Sequence, residues 1–245
     1  MPSDSAPLLE IRGLSRHFGG LRALHDVSFN AGKGLITGVI GSNGAGKTTL
    51  FNCISGLLTP SAGTVMLDGV LITGRTPEQN CKSGLARTFQ IVRPFLGMSV
   101  LDNVKVGAFV RTSNLKDAEE KARATLDFFK MGHVADRDAA TLGVAEMRRL
   151  EIARALATSP RLLLLDEMLA GLTATETAEL CDSLRELVGR GVSMVLIEHS
   201  VPVMTRLCDH MIVLHFGEII CQGNSGEVLA DERVREAYLG SFSDA

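Results

Sequence analysis

The chain has 245 residues, of which 45% are apolar and 22% charged, and its formal net charge is −3. This length and apolar content predict a substantial buried core, which excludes a disordered chain. The balanced charge, with no long run of one sign, argues against the broad cationic face of nucleic-acid binders. Five widely spaced cysteines predict free thiols in a reducing compartment. Without a run of 18 apolar residues or a signal-peptide pattern, we expect neither export nor a membrane span.

The first third of the chain predicts strands around one short helix. The segment "LLEIRGLSRHFGGLRALHDVSF" (residues 8–29) predicts two strands joined by a turn at residues 19–20, and "GLITGVIG" (34–41) predicts a buried strand. The segment "KTTLFNCISGL" (47–57) predicts the first helix, and "GTVMLDGVLI" (63–72) predicts another strand pair.

The remainder alternates helical and strand-like segments. Residues 99–142 show helical spacing and few strand signals, so we expect an inserted helical sub-domain there. Residues 161–167 predict a second buried strand, 173–191 a long amphipathic helix closed by Gly191, and 192–198 a third buried strand. Small strands and terminal helices follow. This alternation predicts an α/β sheet with helical crossovers, in one unit without internal repeats.

A phosphate-binding pattern lies between a predicted strand and a predicted helix. The stretch "GSNGAGKTT" fits G-x-x-x-x-G-K-[ST], in which backbone amides at a helix N-terminus wrap a polyphosphate. Lys47 is expected to reach the β- and γ-phosphates, and the Thr48 hydroxyl to hold Mg²⁺. The alternative is a Gly-rich turn that precedes Lys-Thr by chance. The predicted ATP-binding residues of this loop are Gly41, Ser42, Asn43, Gly44, Ala45, Gly46, Lys47, Thr48 and Thr49.

Two carboxylates end a downstream apolar strand. In "LLLLDE", Asp166 is expected to bind Mg²⁺ directly or through water, and Glu167 to polarise the attacking water. An apolar run that ends in Asp-Glu is by itself an ordinary strand end, but together with the phosphate loop it indicates an ATPase. The chain lacks the N-K-x-D tetrapeptide of GTPases and the G-x-G-x-x-G of kinases.

Taken together, these residues resemble the ATP-binding subunits of ABC transporters, and most closely those of branched-chain amino acid importers. The resemblance covers nearly the whole chain, including "RRLEIARALA" (148–157) and "REAYLG" (235–240). It implies that Phe18 stacks on adenine, that Gln90 is the Q-loop residue that helps to hold Mg²⁺, and that His199 is the catalytic switch histidine. Alternatively, Phe18 is a core residue and the other two are solvated or capping groups.

The same resemblance implies an architecture and an assembly. The fold class is an α/β P-loop NTPase with a RecA-like core, an antiparallel β sub-domain and a helical sub-domain at about 95–155, within a single ATP-binding domain over 1–245. The implied cofactors are ATP and Mg²⁺. The implied partners are a paralogous ATPase subunit, two integral membrane permease subunits and, indirectly, a periplasmic solute-binding protein, without nucleic acid. The implied location is peripheral, at the cytoplasmic face of the inner membrane.

The segment just after Gln90, "IVRPFLGMSVLDN", is where the family contacts its membrane subunits. Its apolar residues Phe95, Leu96 and Met98 are expected either to make those contacts or to belong to the sub-domain core.

The chain departs from the family at two motifs. In ABC dimers the signature L-S-x-G-E/Q of one subunit closes on ATP held by the other, and Gly143 lacks the serine hydroxyl. One lost charge-assisted hydrogen bond costs about 1.5 to 3 kcal/mol, while the backbone amides remain, so we expect a weakened site. Thr173 stands where Asp or Asn is usual in the D-loop. The altered signature residues are Leu142, Gly143, Val144, Ala145 and Glu146.

Behind the signature, the sequence predicts an amphipathic helix that still packs and docks. Its apolar stripe comprises Leu150, Ala153, Leu156 and Ala157. Its opposite, polar face comprises Arg148, Glu151 and Arg154.

The predicted function is ATP binding and hydrolysis that energise an importer for branched-chain or other hydrophobic amino acids. Amides or urea are the alternative solutes. The rival classes are a soluble ABC-type ATPase not tied to transport and a scaffold that binds ATP without hydrolysis. The region between Gln90 and Leu142 lacks the coiled coil or paired cysteines of DNA-repair ATPases, and the single ATPase unit does not fit a translation factor.

Overall fold

The computed structural model describes residues 6–90 and 94–239. Within these ranges the strands are β1 (Leu9–Phe18), β2 (Leu21–Ala31), β3 (Ile36–Ile40), β4 (Ala62–Leu67), β5 (Val70–Leu71), β6 (Leu85–Arg87), β7 (Leu162–Asp166), β8 (Ser193–Ile197), β9 (His210–His215) and β10 (Glu218–Gly223). The α-helices are α1 (Lys47–Ser55), α2 (Pro77–Lys82), α3 (Val100–Ala108), α4 (Leu115–Phe128), α5 (Val144–Ala157), α6 (Ala174–Gly189), α7 (Val201–Leu207), α8 (Ser225–Ala230) and α9 (Glu232–Val234). Short 3-10 helices span Gly132–Val134 and Ala139–Thr141, and Arg235–Leu239 is π-helical.

The strands form two sheets. An antiparallel sheet has the order β2-β1-β4-β5, and the predicted turn at Gly19 and Gly20 joins its first two strands. A second sheet has the order β10-β9-β3-β8-β7-β6, in which only β10 runs antiparallel to its neighbour among the described strands. The predicted fold class is therefore confirmed.

The central strands are apolar on both faces because each face covers a different core. Every residue of β3, β7 and β8 is buried. Leu162 and Leu164 of β7 belong to the core that packs with α1 against the antiparallel sheet, whereas Leu163 and Leu165 belong to the core on the helical side. Successive residues of a strand point to opposite faces, so a continuous apolar run fits a strand covered on both sides.

The parallel strands place the functional segments at one edge of the sheet. Residues 41–46 follow β3, Glu167 follows β7, and Glu198 and His199 follow β8. Because these strands are parallel, their carboxyl ends meet at the same edge, where α/β proteins usually bind ligands.

The inserted helical region lies between β6 and β7 and contains α3, α4 and α5. The predicted amphipathic helix forms as α5, but the assignment of Glu151 to a polar outer face is wrong, since Glu151 is only 3% exposed. Helix α5 contacts α3, α4 and β6, and most of its residues are buried or half-buried. The buried Glu151 carboxylate instead accepts a hydrogen bond from the Phe89 amide at 2.7 Å.

Two short elements were not predicted. Helix α2 begins at a capping box, in which Thr76 accepts from the Gln79 amide and Gln79 accepts from the Thr76 amide. Strand β6 has only three residues and pairs with β7 at the edge of the sheet. No helix within the described ranges has both the length and the apolar character needed to cross a bilayer.

Candidate active site

The phosphate loop has a backbone that only glycine fits at two positions. Gly46, which precedes α1, has φ of 104°, and a Cβ there would lie 2.5 Å from the Ala23 carbonyl oxygen. A Cβ on Gly41 would collide with the Leu214 carbonyl oxygen. Both glycines therefore allow the loop to lie against neighbouring strands while its amides face outward at the N-terminus of α1.

The Lys47 ammonium lies folded back over this loop. Its Nζ donates hydrogen bonds to the carbonyl oxygens of Gly41 at 2.7 Å and Ser42 at 3.0 Å. Burial lowers the pKa of Lys47, while the nearby carboxylates of Glu167 and Asp166 oppose that shift. The ammonium is thus held over the loop, where a bound phosphate would replace the two carbonyl oxygens as its hydrogen-bond acceptor.

A cleft of about 460 Å³ opens in front of the loop. Phe18 lies on its wall at the end of β1, 43% exposed, with the Arg16 guanidinium 4.7 Å from its ring centroid. This exposure excludes the alternative that Phe18 is a core residue. The residues that line the cleft are Phe18, Leu21, Arg22, Ala23, Asn43, Gly44, Ala45, Gly46, Lys47, Thr48, Thr49, Gln90, Glu167 and Phe216.

Asp166 ends β7 as a buried carboxylate paired with an arginine. Its Oδ2 lies 3.0 Å from Arg87 Nη2, and both side chains are almost fully buried. Burial raises the pKa of Asp166, and the Arg87 charge opposes this shift. Asp166 also lines a neighbouring cavity of about 520 Å³ together with Thr48 and Gln90. The structure therefore brings together the three residues predicted to hold Mg²⁺.

Sequence reasoning missed Arg87, which lines this cavity and holds several neighbouring side chains in place by hydrogen bonds. Besides Asp166, its guanidinium donates to Asn52 Oδ1 at 2.6 Å and Ser55 Oγ at 3.1 Å, both on α1. It also lies 5.2 Å from the Phe89 ring centroid. The available signal was a basic residue at the end of a short apolar strand, three positions before Gln90.

Glu167 is held at both carboxylate oxygens by residues distant in sequence. Gln90 Nε2 donates to its Oε2 at 2.6 Å, and His199 Nε2 lies 2.8 Å from its Oε1. Arg148 Nη1 in turn donates to the Gln90 carbonyl oxygen at 3.0 Å. Glu167 has φ of 50°, a conformation unusual for a residue other than glycine and often found at functional sites. The three predicted residues form one hydrogen-bonded group at the cleft.

Glu198 is a second residue that sequence reasoning missed. Its buried carboxylate accepts a hydrogen bond from the Leu169 amide at 2.8 Å, which ties the loop after β7 to the end of β8. Burial, with a contribution from the Glu167 charge, raises the pKa of Glu198 to about 7. Only its position beside His199 distinguished it in the sequence.

The altered signature lies outside this chain's own cleft, at the start of α5. Gly143 precedes the helix, and its amide donates to Glu146 Oε2 at 3.0 Å. Leu142 is buried, whereas Val144 is 58% exposed. At the other altered motif, Thr173 caps α6 by accepting from the Glu176 amide.

The chain matches two protein families. A family model described as "ABC transporter" matches residues 24–170, the part that contains the phosphate loop, Gln90 and the Asp166–Glu167 pair. A second, described as "Branched-chain amino acid ATP-binding cassette transporter", matches residues 218–242.

Relatives are similar over nearly their full length. The "Probable branched-chain amino acid transport ATP-binding protein LivG" of Archaeoglobus fulgidus is 35% identical, with 96% of each chain covered. The "High-affinity branched-chain amino acid transport ATP-binding protein BraF" of Pseudomonas aeruginosa is 36% identical, over 96% of this chain and 99% of the relative. The crystal structure of an ATP-binding cassette of an ABC transporter in its ADP conformation aligns with a TM-score of 0.88 and 32% identity, over 96% of this chain and 100% of that one. A nucleotide-free cassette aligns with a TM-score of 0.87 and 32% identity, over 95% and 99%.

Proposed function

The chain belongs to the ABC transporter family, and from that premise we propose that it binds ATP with Mg²⁺ and hydrolyses it to energise a membrane importer. The observation that carries this proposal is the convergence in one cleft of the phosphate loop, Gln90 and Glu167, with His199 bonded to Glu167. These groups supply the binding, metal-holding and proton-accepting functions that hydrolysis of a phosphoanhydride requires.

Binding begins with the phosphate loop and Lys47. The backbone amides at the N-terminus of α1 and the Lys47 ammonium attract the phosphates of ATP. Lys47 then exchanges its bonds to the carbonyl oxygens of Gly41 and Ser42 for bonds to the β- and γ-phosphates. The adenine is proposed to stack on Phe18, which lines the same cleft as the loop.

The residues around Asp166 fit Mg²⁺ bound together with ATP. Mg²⁺ prefers oxygen ligands and is commonly held by one or two carboxylates, hydroxyl groups and substrate phosphates, with retained waters. Asp166, the Thr48 hydroxyl and the Gln90 amide oxygen offer such ligands around one cavity. Bound there, Mg²⁺ would neutralise charge on the β- and γ-phosphates.

Glu167 is the proposed general base. It accepts a proton as water attacks the γ-phosphorus, and the bond from that phosphorus to the ADP oxygen breaks. Its hydrogen bonds to Gln90 and His199 fix the carboxylate at the rim of the cleft. We assign His199 to holding this arrangement at the γ-phosphate.

An apolar groove supports contact with the permease subunits. A cavity of about 360 Å³ lies between α2, β6 and the helical region and includes the partly exposed side chains of Leu57, Phe89 and Phe95. Phe89 is the neighbour of Gln90, so a permease helix seated here would bear directly on the Q-loop. Phe95 and Leu96 are exposed, which favours docking over a core role, whereas Met98 is half-buried.

We extend the proposal to the assembly. The chain pairs with a paralogous ATPase subunit and two membrane permeases at the cytoplasmic face of the inner membrane, and works indirectly with a periplasmic solute-binding protein. Branched-chain amino acids are the proposed solutes, on the strength of the relatives' names and of the second family match. We also propose that residues 1–245 belong to a single ATP-binding domain, with about 95–155 as its helical sub-domain.

Co-purification from native membranes tests this assignment. A tagged chain is expected to recover integral membrane subunits and a second ATPase subunit, and Phe95→Asp is expected to lose the membrane subunits without losing ATP binding. The exposed Leu115→Asp on α4, outside the groove, is the matched control. Recovery of ribosomes or DNA in place of membrane subunits would contradict a transport role.

A further inference from the structure

Phe216 is an apolar side chain whose exposure the fold does not explain. Its ring is 79% exposed, more than any other large apolar side chain in the described ranges. The ring makes an edge contact with its neighbour His215, with centroids 4.4 Å apart. Yet Phe216 lines the same cleft as Phe18 and the phosphate loop. Core burial therefore does not account for an aromatic residue at this position.

The backbone at Phe216 is also one that phenylalanine rarely adopts. Phe216 and Gly217 form the two-residue loop between β9 and β10, since His215 pairs with Glu218. Their φ values are 45° and 82°, and two consecutive positive values are typical of a type I′ turn. Such turns favour Asn, Asp or Gly at the first position. Phenylalanine thus occupies a strained conformation, which often marks a functional position.

This turn is fixed directly to the phosphate loop. The Gly217 amide donates to the Ala45 carbonyl oxygen at 2.9 Å, and the Gly217 carbonyl oxygen accepts from the His25 amide at 2.9 Å. A Cβ on Gly217 would lie only 2.8 Å from the Ala23 carbonyl oxygen, so the turn sits closely against β2. The ring of Phe216 is consequently positioned by the loop that binds phosphate, although the ring itself is open.

We propose that Phe216 contacts the base of bound ATP, as an aromatic surface of the cleft in addition to Phe18. The inference rests on the proposed nucleotide-binding function and adds a base-contacting residue to it. An exposed ring at the edge of a nucleotide cleft offers an aromatic face on which a base can stack. Stacking removes the apolar surfaces of the ring and the base from water. Phenylalanine has no hydrogen-bonding group, so this contact does not distinguish adenine from guanine.

The first test separates contact with the base from support of the loop. In the full-length protein, Phe216→Ala is expected to raise the Kd for MgATP roughly five- to tenfold by calorimetry, at the lower end of the contribution of one stacked base. The Kd for inorganic tripolyphosphate, which has no base, is expected to stay unchanged. The control Phe109→Ala removes a partly exposed ring outside the cleft and is expected to change neither value.

Two further substitutions exclude a purely structural role. Phe216→Asn introduces a residue that the turn favours, so the midpoint of thermal unfolding is expected to stay the same or rise. The affinity for ATP is expected to fall, because the ring is lost. The chain contains no Trp, so in Phe216→Trp the tryptophan emission reports this position alone. ATP binding is expected to quench that emission, with a Kd close to that of the unmodified protein. Tripolyphosphate is expected to leave the emission unchanged.

The outcomes distinguish this inference from the proposed function. An unchanged ATP Kd in Phe216→Ala, or an equal loss for tripolyphosphate, would overturn the role of Phe216 and leave the ATPase assignment intact. Absence of ATP binding by the unmodified protein would overturn both.

Discussion

At the scale of single residues, Lys47 is poised to exchange partners. Its ammonium donates hydrogen bonds to two carbonyl groups of its own loop. A bound phosphate can replace those carbonyl groups as the acceptor without any movement of the backbone. We expect Lys47→Ala to weaken ATP binding by roughly ten- to a hundredfold, since a charge-assisted hydrogen bond contributes about 1.5 to 3 kcal/mol. Calorimetry measures this, with the exposed Lys116→Ala on α4 as the charge-matched control. Unchanged ATP affinity in Lys47→Ala would refute the binding site.

The residues of the site differ in how well the sequence predicted them. Lys47 and Thr48 were predictable because a phosphate loop needs a fixed spacing of glycines within nine residues. The partnership of Arg87 with Asp166 joins positions 79 residues apart through the pairing of β6 with β7. Local periodicity carries no information about such a contact, so the role of Arg87 needed the structure.

At the scale of secondary-structure elements, Glu198 makes the connection between the end of β8 and the loop after β7 sensitive to pH. Its pKa is raised from 4.5 to about 7 by burial, so the folded protein binds the proton more tightly than the unfolded chain. Stability contributed by the protonated form is therefore complete below about pH 4.5 and falls as pH rises toward 7. The loss is on the order of 3 kcal/mol.

Replacement by the neutral isostere tests this linkage. Glu198→Gln keeps a group that accepts from the Leu169 amide but removes the titration. We expect the variant to match the wild type near pH 5 and to exceed it in free energy of unfolding at pH 8. Urea denaturation at both values measures the difference. An equal difference at pH 5 and pH 8 would show that the Glu198 charge is not the cause.

The start of α5 predicts unequal ATP sites in a heterodimer whose partner carries an unaltered signature. The stronger hydrolytic site would form where that intact signature faces this chain's own set of site residues, Lys47, Asp166, Glu167 and His199. The partner's ATP would face Gly143, which has no hydroxyl, and the exposed side chain of Val144. That site is expected to bind ATP and hydrolyse it slowly, since the amides at the helix N-terminus remain.

Single-turnover hydrolysis of the assembled complex distinguishes the two sites. Glu167→Gln in this chain is expected to cause a much larger loss than the equivalent change in the partner. Equal losses, or the reverse order, would mean that the altered segment acts as a normal signature.

The elements themselves were predicted unevenly, for physical reasons. Strands β3, β7 and β8 were evident because burial on both faces demands continuous apolar runs. Strand β6 is too short to show a period, and it is held by its pairing with β7. The buried position of Glu151 was missed because helical spacing predicts one covered face, whereas α5 contacts β6 as well as α3 and α4, and Glu151 bonds the Phe89 amide.

At the scale of the whole molecule, the parallel sheet explains how distant residues form one site. Gln90, Glu167 and His199 follow β6, β7 and β8, which are adjacent strands with the same direction. The apolar groove includes Phe89, the neighbour of Gln90, and Glu151 accepts a hydrogen bond from the Phe89 amide. An occupant of the groove and a nucleotide in the cleft thus meet at neighbouring residues, which suits coupling of hydrolysis to a membrane partner.

The most direct test of this account is ATP turnover by the assembled transporter with Glu167→Gln in this chain. The substitution preserves shape and hydrogen bonding toward Gln90 and His199 but removes the base. We predict near-native ATP binding and a fall in hydrolysis of about a hundredfold or more, the usual contribution of a general base. Turnover at the wild-type rate would contradict the assignment of Glu167 and with it the proposed site of hydrolysis.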